Sequence, residues 1–297
     1  MIGGQAPGEF EGLPGGGSTP PTGDRGSKIL APLKAEGARG VTIAVVSTVV
    51  VFGTIVFAVL TSSGWPVIKE AFFDPTVFWD SLSKIMGKFG RNVFIFVVAE
   101  IFVLILALIL AVMRSLRGPV FTPFRILAAA YTDLFRAVPT ILVILLLGFG
   151  APALQLKGVP HSDVFWAIVA LILVYSAYVA EVYRAGIQSV HPSQVASARA
   201  LGLSRGKTMR FVVVPQAVRR VLPPLLNDFI GLQKDTALVQ VVGIIDAFNQ
   251  SRIIASNAFN LSAVTIVAIL FVLITIPQAR FVDKLIERDN ARTRAGG

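Results

Sequence analysis

Two adjacent charges, Lys234 and Asp235, stand inside a largely apolar stretch that runs from Val221 to Ile245. A charge at the centre of a bilayer costs on the order of 3 kcal/mol on insertion scales, so such a pair has to turn inward and be compensated. An ammonium beside a carboxylate suits a zwitterionic α-amino acid, each group meeting the opposite charge of the ligand. The same two residues would also serve as a structural ion pair between helices. Helical spacing puts Asn227 and Gly231 on the face of Lys234, and Asp228 beside Asp235 at an interval of seven residues. The candidate substrate contacts are therefore Lys234, Asp235, Asn227, Gln233 and Thr236. Arg136 and Glu181 lie at similar depths near the ends of their own apolar runs, and form either a gate or a static pair.

Other chemistry is thinly represented. Inside the apolar runs there is no Ser/His arrangement, His cluster or paired carboxylate, which weighs against an enzyme. His161 and His191 are lone loop residues without a metal or catalytic role. The chain has no cysteine, so thiolate metal sites and Cys nucleophiles are excluded.

A second unusual stretch precedes the charged pair. From Arg184 to Arg220 the chain carries Arg184, Arg199, Arg205, Lys207, Arg210, Arg219 and Arg220 and no acidic residue. His191-Pro192-Ser193 reads as a break, followed by a helix from Gln194 to Leu201 that Gly202 closes as a C-cap residue. Ser204 then caps a second helix from Arg205 to Val213. Two short helices with small residues at Ala196, Ala198 and Ala200 make a knob suited to a cleft in another protein. A hairpin packed back on its own bundle fits the same spacing.

The elements that must carry these groups are membrane helices. The chain is 54% hydrophobic and 15% charged, with a mean hydropathy of +0.73, far too apolar for a soluble domain of its length. Its net charge of +10 falls between the apolar runs and forms no continuous face, which indicates membrane topology and not nucleic-acid binding. Spans are predicted over Val41–Leu60, Val93–Met113 with Glu100 inside it, Thr140–Phe149, Val164–Tyr183, Val221–Ile245 and Leu261–Phe281. An elbow from Phe121 through Arg125, Asp133 and Arg136 leads into the third, turning at Pro139. Pro223-Pro224 predict a break or kink in the fifth. Lys28, Lys34 and Arg39, then Arg114, Arg117 and Arg125, then the basic loop, then Arg280, Lys284, Arg288 and Arg292 all fall on one side. The positive-inside rule makes that side the cytoplasm. The result is an all-α membrane protein of six spans with both termini cytoplasmic.

Ala198-Arg199-Ala200-Leu201-Gly202-Leu203-Ser204, followed by Val212-Val213-Val214-Pro215-Gln216-Ala217-Val218-Arg219, resembles the EAA loop of ABC importer permeases of the polar amino acid branch. The likeness extends to Phe135-Arg136-Ala137-Val138-Pro139, Ala177-Tyr178-Val179-Ala180-Glu181, Gly186-Ile187-Gln188-Ser189-Val190 and Lys234-Asp235-Thr236. It implies a five-helix type I permease core over 92–284 with a cytoplasmic coupling loop at 185–219. Outside that core lie a disordered Gly/Pro-rich tail (1–40), an extra N-terminal transmembrane helix (41–61), an extracytoplasmic loop (62–91) and a second cytoplasmic tail (285–297). Phe72, Phe73, Phe78 and Trp79 make 62–91 either a surface-lying helix or an ordinary loop.

The resemblance further implies a non-enzymatic subunit of the bacterial cell membrane that binds no cofactor itself, ATP being used on a partner. The implied partners are a cytoplasmic ABC ATPase dimer, a second permease protomer (the same chain or a paralogue), an extracytoplasmic solute-binding protein, membrane lipid and an amino-acid substrate such as glutamate, glutamine or a basic amino acid. Docking on the ATPase would fall to Gln194, Ala196, Ser197, Ala198, Arg199, Gly202, Leu203, Ser204 and Pro215. The chain has no Gly-x4-Gly-Lys-Ser/Thr of its own. It departs from the family pattern in having Ala196-Ser197-Ala198 for Glu-Ala-Ala and Arg136-Ala137-Val138-Pro139 for Arg-Gly-Thr-Pro, so the usual acidic contact to the ATPase is missing. The alternative is an ion-coupled secondary transporter or channel acting without an ATPase, for which the knob would be superfluous.

Overall fold

A computed structural model describes residues 37–116, 118–155 and 157–295. Of the predicted disordered tail at 1–40, residues 1–36 lie outside the described residues, as do Arg117 and two of the basic topology markers, Lys28 and Lys34, while residues 37–40 already belong to a helix. Of the described residues, 37–65 belong to one unit and those from Pro66 to another, so the boundary falls at the start of the helix that opens with Trp65. The first holds α1 (Gly37–Leu60), a helix without charge beyond Gly40.

The second unit begins with α2 (Trp65–Phe73) and α3 (Pro75–Ser115). Asp74 starts α3 by accepting from the backbone N–H groups of Thr76 and Val77, with Pro75 in the first turn where its missing N–H is harmless. The helix then runs unbroken for 41 residues. The segment 62–91, read from sequence as a connection, is therefore mostly helix, and Ser81, Ile85 and Phe89 within it are buried. A 3-10 turn (Pro119–Phe121) leads to α4 (Thr122–Ala137), which meets α5 (Thr140–Ala153) at 102° across Val138-Pro139. This is the predicted elbow. The residue before a proline is driven to extended backbone, and Val138 at φ −91° and ψ 130° ends α4 there.

Ser162 caps α6 (Asp163–Gln188) by accepting from the Phe165 N–H. After it come α7 (Pro192–Ala200), α8 (Arg205–Thr208), a π-helical turn (Met209–Val213) and α9 (Val214–Asp235). A 3-10 segment (Thr236–Val242), α10 (Ala247–Ala258) and α11 (Ser262–Ala295) complete the chain.

The main core lies where α3 crosses α6. Ile95, Ala99, Val103 and Ala107 recur every fourth residue on one face of α3 and pack with Ala167, Ala170, Leu171 and Val174 of α6. Small side chains at such a seam let helix backbones approach, the usual means of packing in lipid, where hydrophobic burial gives helices no preference for one another. A second cluster joins Ile85 and Phe89 of α3 to Ala247 of α10 and Ala263, Ile266 and Val267 of α11. The opposite face of α3 exposes Phe94, Ile101, Phe102, Ile105 and Leu108, a surface made for acyl chains.

Among the described residues four helices are long and apolar enough to span a membrane, and the bent α4–α5 pair makes a fifth. The predicted span at Val221–Ile245 is not among them. Its helix ends at Asp235 and carries Asp228, Lys234 and Asp235, and the residues beyond are 3-10. Pro223 and Pro224 do not break α9, which continues through both.

Candidate functional site

The basic loop folds into the predicted pair of short helices. His191 starts α7, its ring accepting from the Ser193 N–H at 3.2 Å. Leu203 N–H donates to the Ala198 carbonyl at 3.2 Å while Gly202 takes φ +83°, a left-handed closure that favours glycine. Ser204 accepts from the Lys207 N–H at 3.3 Å and so opens α8. Gln194, Ala196, Ser197, Arg199, Gly202, Ser204 and Pro215 are exposed, and Leu203 is half-buried. Ala198 is buried and turns inward, so it props the knob instead of presenting a contact. Leu201 beside it is 83% exposed, a projecting apolar side chain that the sequence reading passed over.

The base of the knob is fastened to the bundle. Arg220 at the start of α9 donates through Nη1 to the Ser189 carbonyl at the end of α6. Gly186 of α6 meets Val221 and the Ala217 carbonyl of α9 with no room for a side chain between. The two helices that flank the knob are thus packed tightly against each other at its base.

Glu181 is paired, but not with Arg136. Arg114 Nη1 reaches from the last turn of α3 to Glu181 Oε2 at 2.9 Å and to Thr132 Oγ1 of α4 at 3.0 Å. Arg184, three residues along α6, donates through Nε to both Glu181 oxygens at 3.1 and 3.0 Å and pairs with it through Nη2. Arg114 and Arg184 therefore take the direct contacts of the carboxylate, and Arg136 acts on it through charge alone at longer range. Arg136 instead lies over the Tyr178 ring, 5.9 Å from its centroid. Arg114 had been read only as a topology marker, because nothing in sequence fixes which helix its side chain crosses to.

The candidate substrate residues of α9 divide three ways. Successive residues on a helix point about 100° apart, and Lys234 and Asp235 accordingly do not face one another. Lys234 is exposed on the same face as Asn227. Asp235 is half-buried beside the hydroxyls of Tyr175 on α6 and Thr140 on α5. Tyr175 fits there because Gly231 leaves room, its Oη lying 3.2 Å from where a Gly231 Cβ would be. Gln233 and Thr236 are buried on the remaining face, Gln233 lining a cavity of about 170 Å³ between α3, α9 and α11. In this structure they share no exposed surface with Lys234. Asp228 has one carboxylate oxygen buried without a hydrogen-bond partner, and Glu100 of α3 lies within its electrostatic reach.

Around the end of α9 the structure assembles a polar network that the sequence reading missed. Asn92 of α3 donates to Asp246 Oδ2 at 2.8 Å and to the Thr236 carbonyl at 3.3 Å, and accepts from the Ala247 N–H at 3.1 Å. Among the described residues no three His, Cys, Asp or Glu side chains converge as metal ligands.

Comparison with known proteins places this arrangement. Residues 104–289 match the family model described as binding-protein-dependent transport system inner membrane component. The chain is 36% identical over 186 residues to the arginine transport system permease protein ArtQ of Bacillus subtilis, covering 62% of this chain and 84% of the relative. It is 34% identical over 216 residues to the probable glutamine ABC transporter permease protein GlnM of the same organism, covering 72% and 96%. A solved structure described as an amino acid ABC transporter with histidines superposes with a TM-score of 0.64 at 29% identity, over 72% of this chain and 96% of the other. The MetNI methionine ABC transporter, at 17% identity and a TM-score of 0.52 over 69% and 97%, shares the fold.

Proposed function

Since the chain belongs to the family of binding-protein-dependent transport system inner membrane components, we propose that it carries a polar amino acid into the cell as the permease subunit of an ATP-driven importer. It is a multi-pass membrane subunit, and hydrolysis of ATP belongs to a separate ATPase. Relatives named for arginine and for glutamine support a polar or basic amino acid as the substrate class.

The observation that carries this reading is the knob of α7 and α8, mostly exposed and hung between two helices that lock together at Gly186, Ala217 and Val221. Such an element fits the docking groove of a cytoplasmic ATPase dimer, with Leu201, Gly202 and Arg199 at its tip. The clustering of basic residues on this side supports a cytoplasmic location for the loop and for both termini. Closure of the ATPases would push α6 and α9 as one body, moving Lys234 and Asn227 on the exposed face of α9. We assign those two as substrate contacts, with a second permease protomer facing them across the pathway and an extracytoplasmic binding protein delivering the substrate. Asp235 is assigned to hold Tyr175 and Thr140 beside them. The helix Gly37–Leu60 lies outside the matched region and is assigned as an addition to the permease core.

The test is uptake of labelled L-arginine and L-glutamine into membrane vesicles containing this chain, its ATPase and its binding protein, with and without ATP. Uptake that requires both ATP and an intact Walker lysine in the ATPase is expected. Equal uptake without the ATPase would replace this reading with a solitary ion-coupled carrier.

A further inference from the structure

Asn92 sits in α3 beside Arg91, just before the apolar run that begins at Val93, and is only 2% exposed. Its amide is engaged at both ends by groups 144 to 155 residues later in the chain. Nδ2 donates to Asp246 Oδ2 at 2.8 Å and to the Thr236 carbonyl at 3.3 Å; Oδ1 accepts from the Ala247 N–H at 3.1 Å. The other Asp246 oxygen accepts from the Asn249 N–H at 2.8 Å and so starts α10. One side chain thus grips both ends of the stretch that separates α9 from α10.

That stretch is unusual in itself. Directly after Lys234 and Asp235 the chain leaves the α-helix for seven residues of 3-10 helix, then turns at Gly243 with φ +86°. Runs of 3-10 longer than three or four residues are uncommon, because their hydrogen bonds are poorly aligned, and they often mark hinges. The last carbonyls of an α-helix have no donors of their own. Here Thr236 O takes one from Asn92, and Gln233 O takes one from Thr236 Oγ1 at 2.7 Å. Asn92 adds a side-chain donor to the carbonyl of the residue that opens the 3-10 segment. Val242 closes the far end against Gly148 of α5, where a side chain at 148 would collide with it.

We propose that Asn92 is a positioning residue for transport: it clasps Thr236 and Asp246, ends α9 at Asp235, and holds residues 236–242 as the hinge against which Lys234 moves. This rests on the assignment of Lys234 as a substrate contact. The clasp is electrostatically specific. An aspartate at 92 would oppose both Asp246 and the Thr236 carbonyl, whereas exchanging the two residues restores a donor facing an acceptor between 92 and 246 and leaves only Thr236 O without its donor. Asparagine at 246 also remains a good N-cap for α10.

The test uses the complex of this chain with its ATPase in nanodiscs. Amide hydrogen exchange is read over 236–243, together with the concentration dependence of labelled L-arginine and L-glutamine uptake in proteoliposomes. The variants are Asn92→Leu, Asn92→Asp, Asp246→Asn and the exchanged pair Asn92→Asp/Asp246→Asn. Asn92→Leu and Asn92→Asp are expected to speed exchange over 236–243 about tenfold, the size expected from leaving buried polar groups without partners. They should also cut maximal uptake per folded copy about tenfold. Asp246→Asn has one oxygen for two donors, Asn92 Nδ2 and the Asn249 N–H, so it is expected to lose part of the clasp. The exchanged pair, which restores the 92–246 contact but not the donor to Thr236 O, is expected to recover about half of both losses relative to Asn92→Asp. The inference is overturned if exchange over 236–243 is unchanged in Asn92→Leu, if folded copies keep wild-type KM and maximal rate while only thermal stability falls, or if the exchanged pair does no better than Asn92→Asp. Exchange needs no substrate, so a wild-type complex that carries neither amino acid counts against the importer reading and leaves the clasp to be decided by exchange alone.

Discussion

Gly186 on α6 and Val221 on α9 touch so closely that a Cβ on the glycine would overlap Val221 Cγ1 and lie 3.3 Å from the Ala217 carbonyl oxygen. Gly186→Ala is therefore expected to destabilise the folded chain by about 1–3 kcal/mol, the usual result of overpacking a fixed seam. Adding Val221→Ala removes the overlapping methyl and should recover most of that loss. Thermal melting of the detergent-solubilised chain measures both. A double variant no more stable than Gly186→Ala would show that the seam is not what limits this site.

Less than two turns before Gly186 on α6, Glu181 joins α3, α4 and α6 through Arg114 and Arg184. The side chains of Arg114 and Glu181 are 19% and 23% exposed, so their coupling should exceed that of a surface pair. A double-mutant cycle with Arg114→Leu and Glu181→Gln is expected to give about 1 kcal/mol, weakening as salt is raised. A cycle of Glu181→Gln with Arg136→Leu should give a much smaller value, since Arg136 is engaged with Tyr178. Equal couplings would restore the Arg136–Glu181 pair that depth along the spans suggests.

Much of this was legible in the sequence because it is local. Ser204 and Gly202 declare the ends of short helices through their own backbone requirements, and Pro139 declares the elbow through the residue before it. Pro223 and Pro224 do not produce the break that was one of their two expected effects, because a proline removes one hydrogen bond and packing of α9 against α6 and α11 keeps the helix despite that loss. The pairing of Glu181 was hidden in part: Arg184 is its i+3 neighbour on the same helix, but the choice between Arg114 and Arg136 is made only by the crossing of α3 over α6. Asn92 left little signal, since it stands beside Arg91 just before the apolar run that begins at Val93. Its partners at Thr236 and Asp246 are fixed by tertiary packing alone. Treating Lys234 and Asp235 as one site came from their adjacency in sequence, which on a helix means divergence.

The knob depends on a left-handed residue at position 202, where φ is +83°. Asparagine enters this region more easily than other residues with side chains, and β-branched residues resist it most. Gly202→Asn should keep uptake within about twofold of wild type, whereas Gly202→Val should lose most of it by paying at least about 1 kcal/mol to hold the turn. Since Gly202 has open space around it, steric collision within the chain is not the cause. Co-purification of the ATPase with each variant separates loss of docking from loss of folding. Normal ATPase retention by Gly202→Val would remove the turn from the docking surface.

Lys234 and Gln233 are neighbours with opposite expected behaviour. Lys234 is exposed, with no ion pair among the described residues, so Lys234→Met should leave thermal stability nearly unchanged. If its ammonium meets the substrate carboxylate, the loss of a charge-assisted hydrogen bond should raise the KM for uptake at least about tenfold. Gln233 is 8% exposed and its Oε1 has no hydrogen-bond partner among the described residues. Burying such an oxygen is unfavourable, so Gln233→Met should hold or raise the melting temperature, and KM should not move. Uptake kinetics and melting curves for the two variants therefore separate a group that faces the pathway from one that faces the bundle. A KM change in Gln233→Met of the size expected for Lys234→Met would mean that α9 turns during transport to bring its buried face to the substrate.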